Sequence, residues 1–165
     1  MPHDTAPVSV IIPAYNAATS IQQALKSVSA QTLPPAEVIV VDDGSSDDTI
    51  AMAKAMQRLF PAGTLIVISQ TNKGAGAARN RAIDAATKSY IAFLDADDEW
   101  LPTKLERSMD VLTSKNYTLV AHDYMDVMPN GEEHVDCAQR FNEGPDSFVT
   151  LYLKGYIPSI SVVTQ

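Results

Sequence analysis

The sequence predicts an α/β domain whose mostly parallel, mixed sheet is flanked by helices on both faces. Short runs of apolar, largely β-branched residues recur along the chain, as in "PVSVII", "AEVIVV" and "YIAFL". The segments between these runs repeat apolar residues at helical spacing. The 165 residues, 45% of them hydrophobic, suffice for one compact domain with a core. Strands and helices that alternate in this way are typical of a parallel sheet.

Four strands are predicted at residues 7–12, 36–41, 63–69 and 90–94, and their nearly continuous apolar character suits strands buried on both faces. Helices are predicted at residues 20–31, 47–60, 74–88 and 102–114, the last opened by Pro102. The rhythm changes after residue 116. Residues 117–136 predict a hairpin around a "PNG" turn, residues 146–155 a short helix, and residues 157–165 the start of a further strand.

Composition excludes several classes of protein. A net charge of −8 gives no basic face for a nucleic-acid polymer. No apolar stretch approaches the roughly 20 residues that span a bilayer, and the N-terminus lacks the features of a signal peptide. The single cysteine, Cys137, rules out an internal disulfide and fits a reducing compartment. The sequence therefore predicts a soluble, cytoplasmic domain.

Polar loops follow all four predicted strands. "PAYN" follows the first strand, "DDGSSD" the second, "QTNKGAGAARN" the third and "DADDEW" the fourth. In open parallel sheets, ligands bind outside the carboxyl ends of the strands. We therefore expect these four loops to line one binding site at that edge of the sheet.

The loop after the fourth strand predicts a metal site. Asp95 and Asp97 are two residues apart and would point the same way, and their hard oxygen atoms suit Mg²⁺ or Mn²⁺. Such an ion keeps few protein ligands and completes its shell with phosphates, so a divalent ion would neutralise this cluster of acids. Acids also favour the N-terminus of a helix, and that alternative fits Asp98 and Glu99.

The other three loops predict contacts to a nucleotide, each with a simpler alternative. Asp42 would accept a hydrogen bond from a nucleoside, whereas residues 45–48 fit a turn and a helix cap. Lys73 and Arg79, near two glycines at a helix N-terminus, suit a phosphate, although a flexible loop before an alanine-rich helix would look the same. Tyr15 would lie against a base, or be a half-buried edge aromatic.

Together these loops resemble a known family. The segments "PVSVIIPAYN", "VIVVDDGSSDDT", "NKGAGAARN" and "YIAFLDADDEW", in this order, resemble the family 2 glycosyltransferases of the GT-A fold, of the bacterial exopolysaccharide and cell-surface glycan type. The resemblance implies a nucleotide-diphosphate sugar donor, a UDP-sugar in the typical case, with Mn²⁺ or Mg²⁺ as cofactor. It also implies transfer, with inversion, to a glycan or lipid-linked acceptor, at the inner face of the cell membrane for the full-length protein.

The resemblance also implies a role for individual positions. The nucleotide-binding residues would be Pro13, Ala14, Tyr15, Asp42, Lys73, Arg79, Asp95 and Ala96, and the metal ligands Asp95 and Asp97. Within this set the first three would border the nucleoside and Asp42 would hold the base. Arg79 and Lys73 would lie near the diphosphate, Asp95 would lie near the ribose and the metal, and Asp97 would bind the metal directly. Residues 1–116 would form the donor-binding core, and residues 117–165 an incomplete start of the acceptor side of the same domain.

The catalytic base is the point of departure from the family. The resemblance implies a base from a later Glu-Asp segment, which this sequence does not contain, and Asp123, Asp126 and Glu132 have no support as replacements. We therefore expect a donor-binding fragment of a longer enzyme, one that binds nucleotide and metal but transfers sugar poorly or not at all. The alternatives are a non-catalytic nucleotide-sugar binding module and a sugar-phosphate nucleotidyltransferase. A nucleotidyltransferase would carry a glycine-rich basic loop where "PAYNAATS" stands, and a dinucleotide-binding domain would carry its glycine fingerprint.

Overall fold

A computed structural model of the chain describes residues 5–115, 117–137, 139 and 162–164. Its strands are β1 Ala6–Ala14, β2 Pro35–Asp42, β3 Leu65–Ser69, β4 Tyr90–Phe93, β5 Leu119–Val120, β6 Tyr124–Met128, β7 Gly131–Val135 and β8 Val162–Thr164. Six of them form one sheet in the order β3-β2-β1-β4-β8-β5. The first four strands are parallel, and β8 runs antiparallel to both of its neighbours. The predicted mixed sheet is confirmed.

The helices are α1 Ile21–Ser29, α2 Thr49–Ala55, α3 Ala75–Ala85 and α4 Lys104–Lys115. All four were predicted, but the second is shorter than expected, because a 3-10 turn, Met56–Leu59, replaces its last residues. The cause lies in the next two residues. Pro61 disfavours the helical conformation for the residue before it, and Phe60 is extended, with φ −117° and ψ 149°.

The sheet is buried on both faces, as the apolar strands predicted. On one face, Val10 and Ile12 of β1 pack with side chains of α1 and α4, among them Leu25 and Leu105. On the other face, Ile11 packs with side chains of α3. Successive residues of a strand point to opposite faces, so one apolar run serves both layers. Helices therefore cover both faces, and the ends of the strands remain open for a site.

A buried glutamate ties the amino ends of the strands together. Glu37 of β2 is 5% exposed, and its carboxylate accepts hydrogen bonds from Ser9 Oγ at 2.5 Å and from Thr87 N and Oγ1 at 3.0 and 2.9 Å. Burial raises the pKa of Glu37, but these bonds and the charge of Lys88 outweigh it and hold the pKa below its ordinary value of 4.5. The network joins β1, β2 and the segment before β4, at the sheet edge opposite the polar loops.

Replacing Glu37 by glutamine is expected to lower the free energy of unfolding by about 2 kcal/mol. The glutamine amide has only one acceptor oxygen, so its NH₂ group would face at least one of the donors that now bond to the carboxylate. Chemical denaturation measures the loss, with Asp110→Asn on an exposed helix face as the charge-matched control. Because folding lowers the pKa of Glu37, the stabilisation that its carboxylate provides is complete above pH 4.5. It is lost as the pH falls through the lowered pKa of the folded state. A variant as stable as the wild type at pH 7 would contradict this role.

Beyond α4, β6 and β7 pair antiparallel as a separate two-stranded sheet, which confirms the predicted hairpin. The predicted final strand is confirmed over β8, whereas the helix predicted at residues 146–155 lies outside the described residues. The division into two parts at residue 116 stays a prediction. No helix within the described ranges has both the length and the apolar character needed to cross a bilayer.

Candidate functional site

A cavity of about 300 Å³ opens at the carboxyl ends of β1, β2 and β4. Its wall combines the loop after β1, the end of β2, the first turns of α3 and the loop after β4. The lining residues are Pro13, Ala14, Tyr15, Asn16, Ala17, Ser20, Asp43, Ala75, Ala78, Arg79, Asp95, Ala96 and Asp97. A second depression, of about 230 Å³, lies near the start of β3, at the opposite edge, and is lined by residues without titratable side chains. The cavity therefore lies where the polar loops predicted a site.

Hydrogen bonds join the loop after β1 to the loop after β2. Asn16 has a positive φ of 50°, which asparagine tolerates better than most residues, and its N–H donates to Ser45 Oγ at 2.9 Å. Its side-chain oxygen accepts from Ser46 N at 2.9 Å. Ser45 and Ser46 thus bond to Asn16, and neither caps α2 as predicted. These hydrogen bonds hold the two loops together as one side of the cavity.

Asp43, which the sequence analysis did not select, anchors the approach to α3. It is 2% exposed, and its carboxylate accepts from Gln70 Nε2 at 2.8 Å, Lys73 N at 2.9 Å and Gly74 N at 2.7 Å. The bond from the Gln70 amide, with those from the two backbone N–H groups, holds the pKa of Asp43 below its ordinary value against the effect of burial. Asp43 also lines the cavity, so one carboxylate both supports the wall and forms part of it.

Asp42, the acid predicted to hold a base, lies behind this wall. It is 1% exposed, and the described residues lining the cavity do not include it. Its Oδ2 accepts from Ser45 N at 3.2 Å, while its buried Oδ1 has no hydrogen-bond partner within the described ranges. Of these two adjacent acids, the structure therefore places Asp43 at the cavity, whereas the sequence analysis had selected Asp42.

The remaining predicted nucleotide residues divide into two groups. Pro13, Ala14, Tyr15 and Ala96 line the cavity, and Tyr15 is 55% exposed. Lys73 does not belong to the described wall. Its side chain is exposed, and its role in the structure is the backbone hydrogen bond to Asp43.

One of the acids after β4, Asp95, forms an ion pair with the guanidinium group of Arg79. Arg79 Nη2 lies 2.5 Å from Asp95 Oδ1, and both side chains are partly exposed. Asp97 is exposed beside them in the cavity wall. Burial, with the charges of Asp97 and Asp95, raises the pKa of Asp98 above its ordinary value. Arg79 therefore neutralises only part of the acidic loop, and negative charge remains beside Asp97.

The far end of the acidic loop is fixed to α1 and to Gln31, which follows that helix. Gln31, 6% exposed, donates to Leu101 O at 2.9 Å and accepts from Leu105 N at 2.9 Å. Trp100 donates its backbone N–H to Ser27 Oγ at 3.0 Å and packs its ring in the core. The acidic loop is thus held at both ends, by β4 on one side and by these bonds on the other.

Asp95, which is partly exposed, and Asp97, which is exposed, suit a metal ion that takes few protein ligands. Within the part of the chain that the structure describes, no three His, Cys, Asp or Glu side chains are arranged to hold a metal. Asp95 and Asp97 still offer hard carboxylate oxygens at an open cavity, which fits Mg²⁺ or Mn²⁺ when phosphates and water supply the other ligands.

The three acids considered as replacements for the general base, Asp123, Asp126 and Glu132, do not line this cavity. Asp123 Oδ1 accepts from Cys137 N at 2.8 Å, and its Oδ2 lies 3.3 Å from His134 Nε2. Asp126 and Glu132 are exposed on the β6–β7 hairpin. The described residues therefore provide no assigned general base.

Fold and site together define a parallel α/β domain that carries an acidic ligand cavity at the carboxyl ends of its strands. The profile described as "Glycosyl transferase family 2" matches residues 9–159, and the chain belongs to this family. The resemblance drawn from the sequence is confirmed.

Relatives and solved structures agree with this assignment. The chain is 36% identical over 117 residues to the Escherichia coli UDP-Glc:alpha-D-GlcNAc-diphosphoundecaprenol beta-1,3-glucosyltransferase WfgD, covering 71% of this chain and 45% of that protein. The 1-349 portion of S. aureus TarS, solved with UDP, superposes with a TM-score of 0.64 at 30% identity, covering 69% of this chain and 34% of that TarS 1-349 chain. The mannosyltransferase PcManGT from Pyrobaculum calidifontis, solved with GDP-Man and Mn²⁺, gives a TM-score of 0.65 at 29% identity, covering 74% of this chain and 39% of PcManGT. The fold is the GT-A fold, and the chain spans less than half the length of each of these proteins.

Proposed function

We propose that this chain binds a nucleotide-diphosphate sugar, most simply a UDP-sugar, together with Mn²⁺ or Mg²⁺, and forms the donor side of an inverting glycosyltransferase. The observation that carries the proposal is the convergence of Asp95, Ala96 and Asp97 with the β1 and β2 loops on one cavity. WfgD, TarS and PcManGT support it, since their names or bound molecules include a UDP-sugar, UDP and GDP-Man.

The nucleoside would occupy the side of the cavity formed by the ends of β1 and β2. The exposed ring of Tyr15 offers a flat apolar face to a base, and Pro13 and Ala14 line the same side without charge. Asp43 adds a carboxylate at this wall, which supplements the predicted role of Asp42. An acceptor oxygen at this position suits the N–H of a base.

The diphosphate would lie toward the acidic loop. Asp97, with Asp95 beside it, would hold the divalent ion, which when bound supplies Lewis acidity to the departing nucleoside diphosphate. The first turn of α3 contributes to the same wall through Ala75 and Ala78, and the N-terminus of a helix favours negative charge. Lys73 remains a predicted contact of the diphosphate, although it is not among the residues that line the cavity.

The acceptor is proposed as a glycan or a lipid-linked sugar. WfgD, by its name, acts on a diphosphoundecaprenol-linked sugar, and this supports a lipid-linked substrate. Attack by an acceptor hydroxyl requires a general base, and we assign none among the described residues. Sugar transfer is thus proposed for the whole protein, while donor binding is proposed for this chain.

Calorimetric titration with UDP, with Mn²⁺ or with EDTA, tests the proposal. We expect Mn²⁺ to tighten UDP binding about tenfold or more in the wild type, because Asp97 and Asp95 would hold an ion whose positive charge attracts the diphosphate. Asp97→Asn is expected to remove that gain, since it removes the charge of the proposed ligand but keeps its shape.

Asp84→Asn is the matched control, because it makes the same change on an exposed position of α3 outside the cavity. It should retain the full effect of Mn²⁺. UDP binding that is equal in Asp97→Asn and wild type, with the same dependence on Mn²⁺, would refute the metal site. Absence of binding to UDP and GDP in the wild type would refute donor binding.

A further inference from the structure

We propose that Lys104 and His122 form a subsite for the phosphate group of the acceptor, across the acidic loop from the nucleoside. The inference rests on the proposed function, and of its two classes of acceptor it selects the lipid-linked sugar, whose linkage carries phosphate. Neither residue belongs to the described lining of the cavity. The subsite is therefore separate from the proposed contacts with the donor.

The sheet places this subsite beyond the acidic loop. In the strand order, β8 and β5 follow β4 on the side away from β1 and β2. β4 and β5 both pair antiparallel with β8 through Val163, so they run in the same direction and lead to the same edge of the sheet. Two strand spacings separate them, about 10 Å, and His122 follows the end of β5 by two residues. With the nucleoside proposed at β1 and β2 and the diphosphate at the acidic loop, we expect the acceptor on this further side.

Lys104 is held by an aromatic ring at the start of α4. Its Nζ lies 3.7 Å from the centroid of the Trp100 ring, and that ring packs in the core, with 7% of Trp100 exposed. Lys104 itself is partly exposed. Burial lowers the pKa of its amine to about 7, so a nearby anion, which favours the charged form, changes its protonation near neutral pH. The ring therefore holds a titrating amine beside the end of the acidic loop.

His122 carries a ring nitrogen whose hydrogen-bonding capacity is unused. Its Nδ1 lies 2.9 Å from the carbonyl oxygen of Asp123, and because a carbonyl only accepts, Nδ1 carries the proton. Nε2 is buried and has no hydrogen-bond partner among the described residues. Burial, and then the charge of Lys104, lower the pKa of His122 against the smaller effect of Asp123, so the ring is neutral at pH 7. A buried nitrogen without a partner is rare in folded proteins, and a ligand atom would satisfy it.

Charge decides which ligand suits the pair. The charge of Lys104 lowers the pKa of His122, so the two groups are close enough to repel when both are protonated. An anion between them favours the doubly protonated pair, in which Nζ and Nε2–H each donate to a phosphate oxygen. A metal ion would be repelled by the same pair. Because Nε2 is buried, the ring has to turn to meet the ligand, and such side-chain changes are common at binding sites.

Nitrogen NMR of the wild type tests the subsite, with geranyl diphosphate and inorganic pyrophosphate as probes. Both are added in EDTA at neutral pH, so that no divalent ion links them to Asp95 or Asp97. We expect either probe to add a proton to Nε2 of His122 and so to change the shifts of both its ring nitrogens, while those of His134 stay as they were. Tighter binding of geranyl diphosphate would assign the subsite to a lipid-linked phosphate, and equal affinities would assign it to the phosphate group alone. Both results support the subsite.

Calorimetry on variants identifies the side chains that bind. Lys104→Gln and His122→Gln are each expected to weaken both probes about tenfold, as for the loss of a charged hydrogen bond. Lys115→Gln is the control, because it removes the same charge from an exposed position at the other end of α4, and it should bind as the wild type does. Circular dichroism and thermal melting verify that each variant folds, and the NMR experiment needs no variant.

Two results would overturn the inference: His122 stays neutral in the presence of both probes, or Lys104→Gln binds them as tightly as Lys115→Gln does. Titration with UDP and Mn²⁺ reports on the proposed function independently. A wild type that binds UDP but gives either of these results loses only the phosphate subsite. A wild type that binds neither UDP nor GDP loses the donor site, whatever His122 does.

Discussion

Asp43→Asn is expected to lower the affinity for UDP about a hundredfold, the largest loss that we predict for one side chain. The carboxylate accepts three hydrogen bonds, from the Gln70 amide and from the N–H groups of Lys73 and Gly74. Asparagine has one oxygen and an amide group that donates, so in either orientation at least one donor faces another donor. The segment that leads into α3 would then lose its attachment to β2.

The loss reaches the ligand because this segment precedes the α3 wall of the cavity, to which Ala75 and Ala78 belong. Calorimetric titration with UDP and Mn²⁺ measures it, and chemical denaturation shows whether the fold persists. Asp48→Asn, on an exposed acid five residues along the same loop, should bind UDP as the wild type does. If Asp43→Asn also bound UDP with wild-type affinity, Asp43 would neither anchor the segment nor contact the nucleotide.

Gly44→Ala is expected to lower the free energy of unfolding by about 3 kcal/mol, through backbone strain and overpacking together. Gly44 has a φ of +74°, and an added Cβ would lie 2.9 Å from Asn72 N and 3.2 Å from Gln70 O. Both neighbours are backbone atoms that cannot rotate away. The chain after β2 therefore requires glycine where it passes the segment after β3.

Gly63→Ala separates the two causes. Gly63 also has a positive φ, +83°, but an added Cβ there would meet nothing within 4 Å. It should cost only the strain of the positive φ, about 1–2 kcal/mol. Denaturation of both variants isolates the contribution of the close approach. Equal losses would mean that the contact with Asn72 and Gln70 carries no energetic weight.

The fold was predictable because its strands are buried on both faces. A strand that is covered by helices on both faces must be apolar at consecutive positions. β1 and β2 can therefore be recognised in the sequence as continuous runs of apolar residues. Element ends were less predictable, as the 3-10 turn before Pro61 shows. The Glu37 network was not predicted, since Ser9 and Thr87 are far from it in sequence and nothing local indicates that they meet.

The site was predictable as a region but only partly as a set of side chains. Parallel strands bring their carboxyl ends to one edge, so the four loops had to converge. Asp42 and Asp43 are adjacent, however, and sequence alone does not reveal which of two neighbouring acids faces a cavity at the end of a strand. The ion pair between Arg79 and Asp95 depends on how α3 packs against β1, which is a property of the folded chain.

The position of β8 has a consequence for synthesis of the protein. Among the described strands, β5 is hydrogen-bonded to the sheet only through β8, which pairs with β4 on its other side. Translation therefore delivers β5 long before the partner that it needs, whereas β1 to β4 pair with one another as they emerge. Strands β1 to β4 can therefore pair during elongation, whereas β5 joins the sheet only after residues 162–164 have left the ribosome.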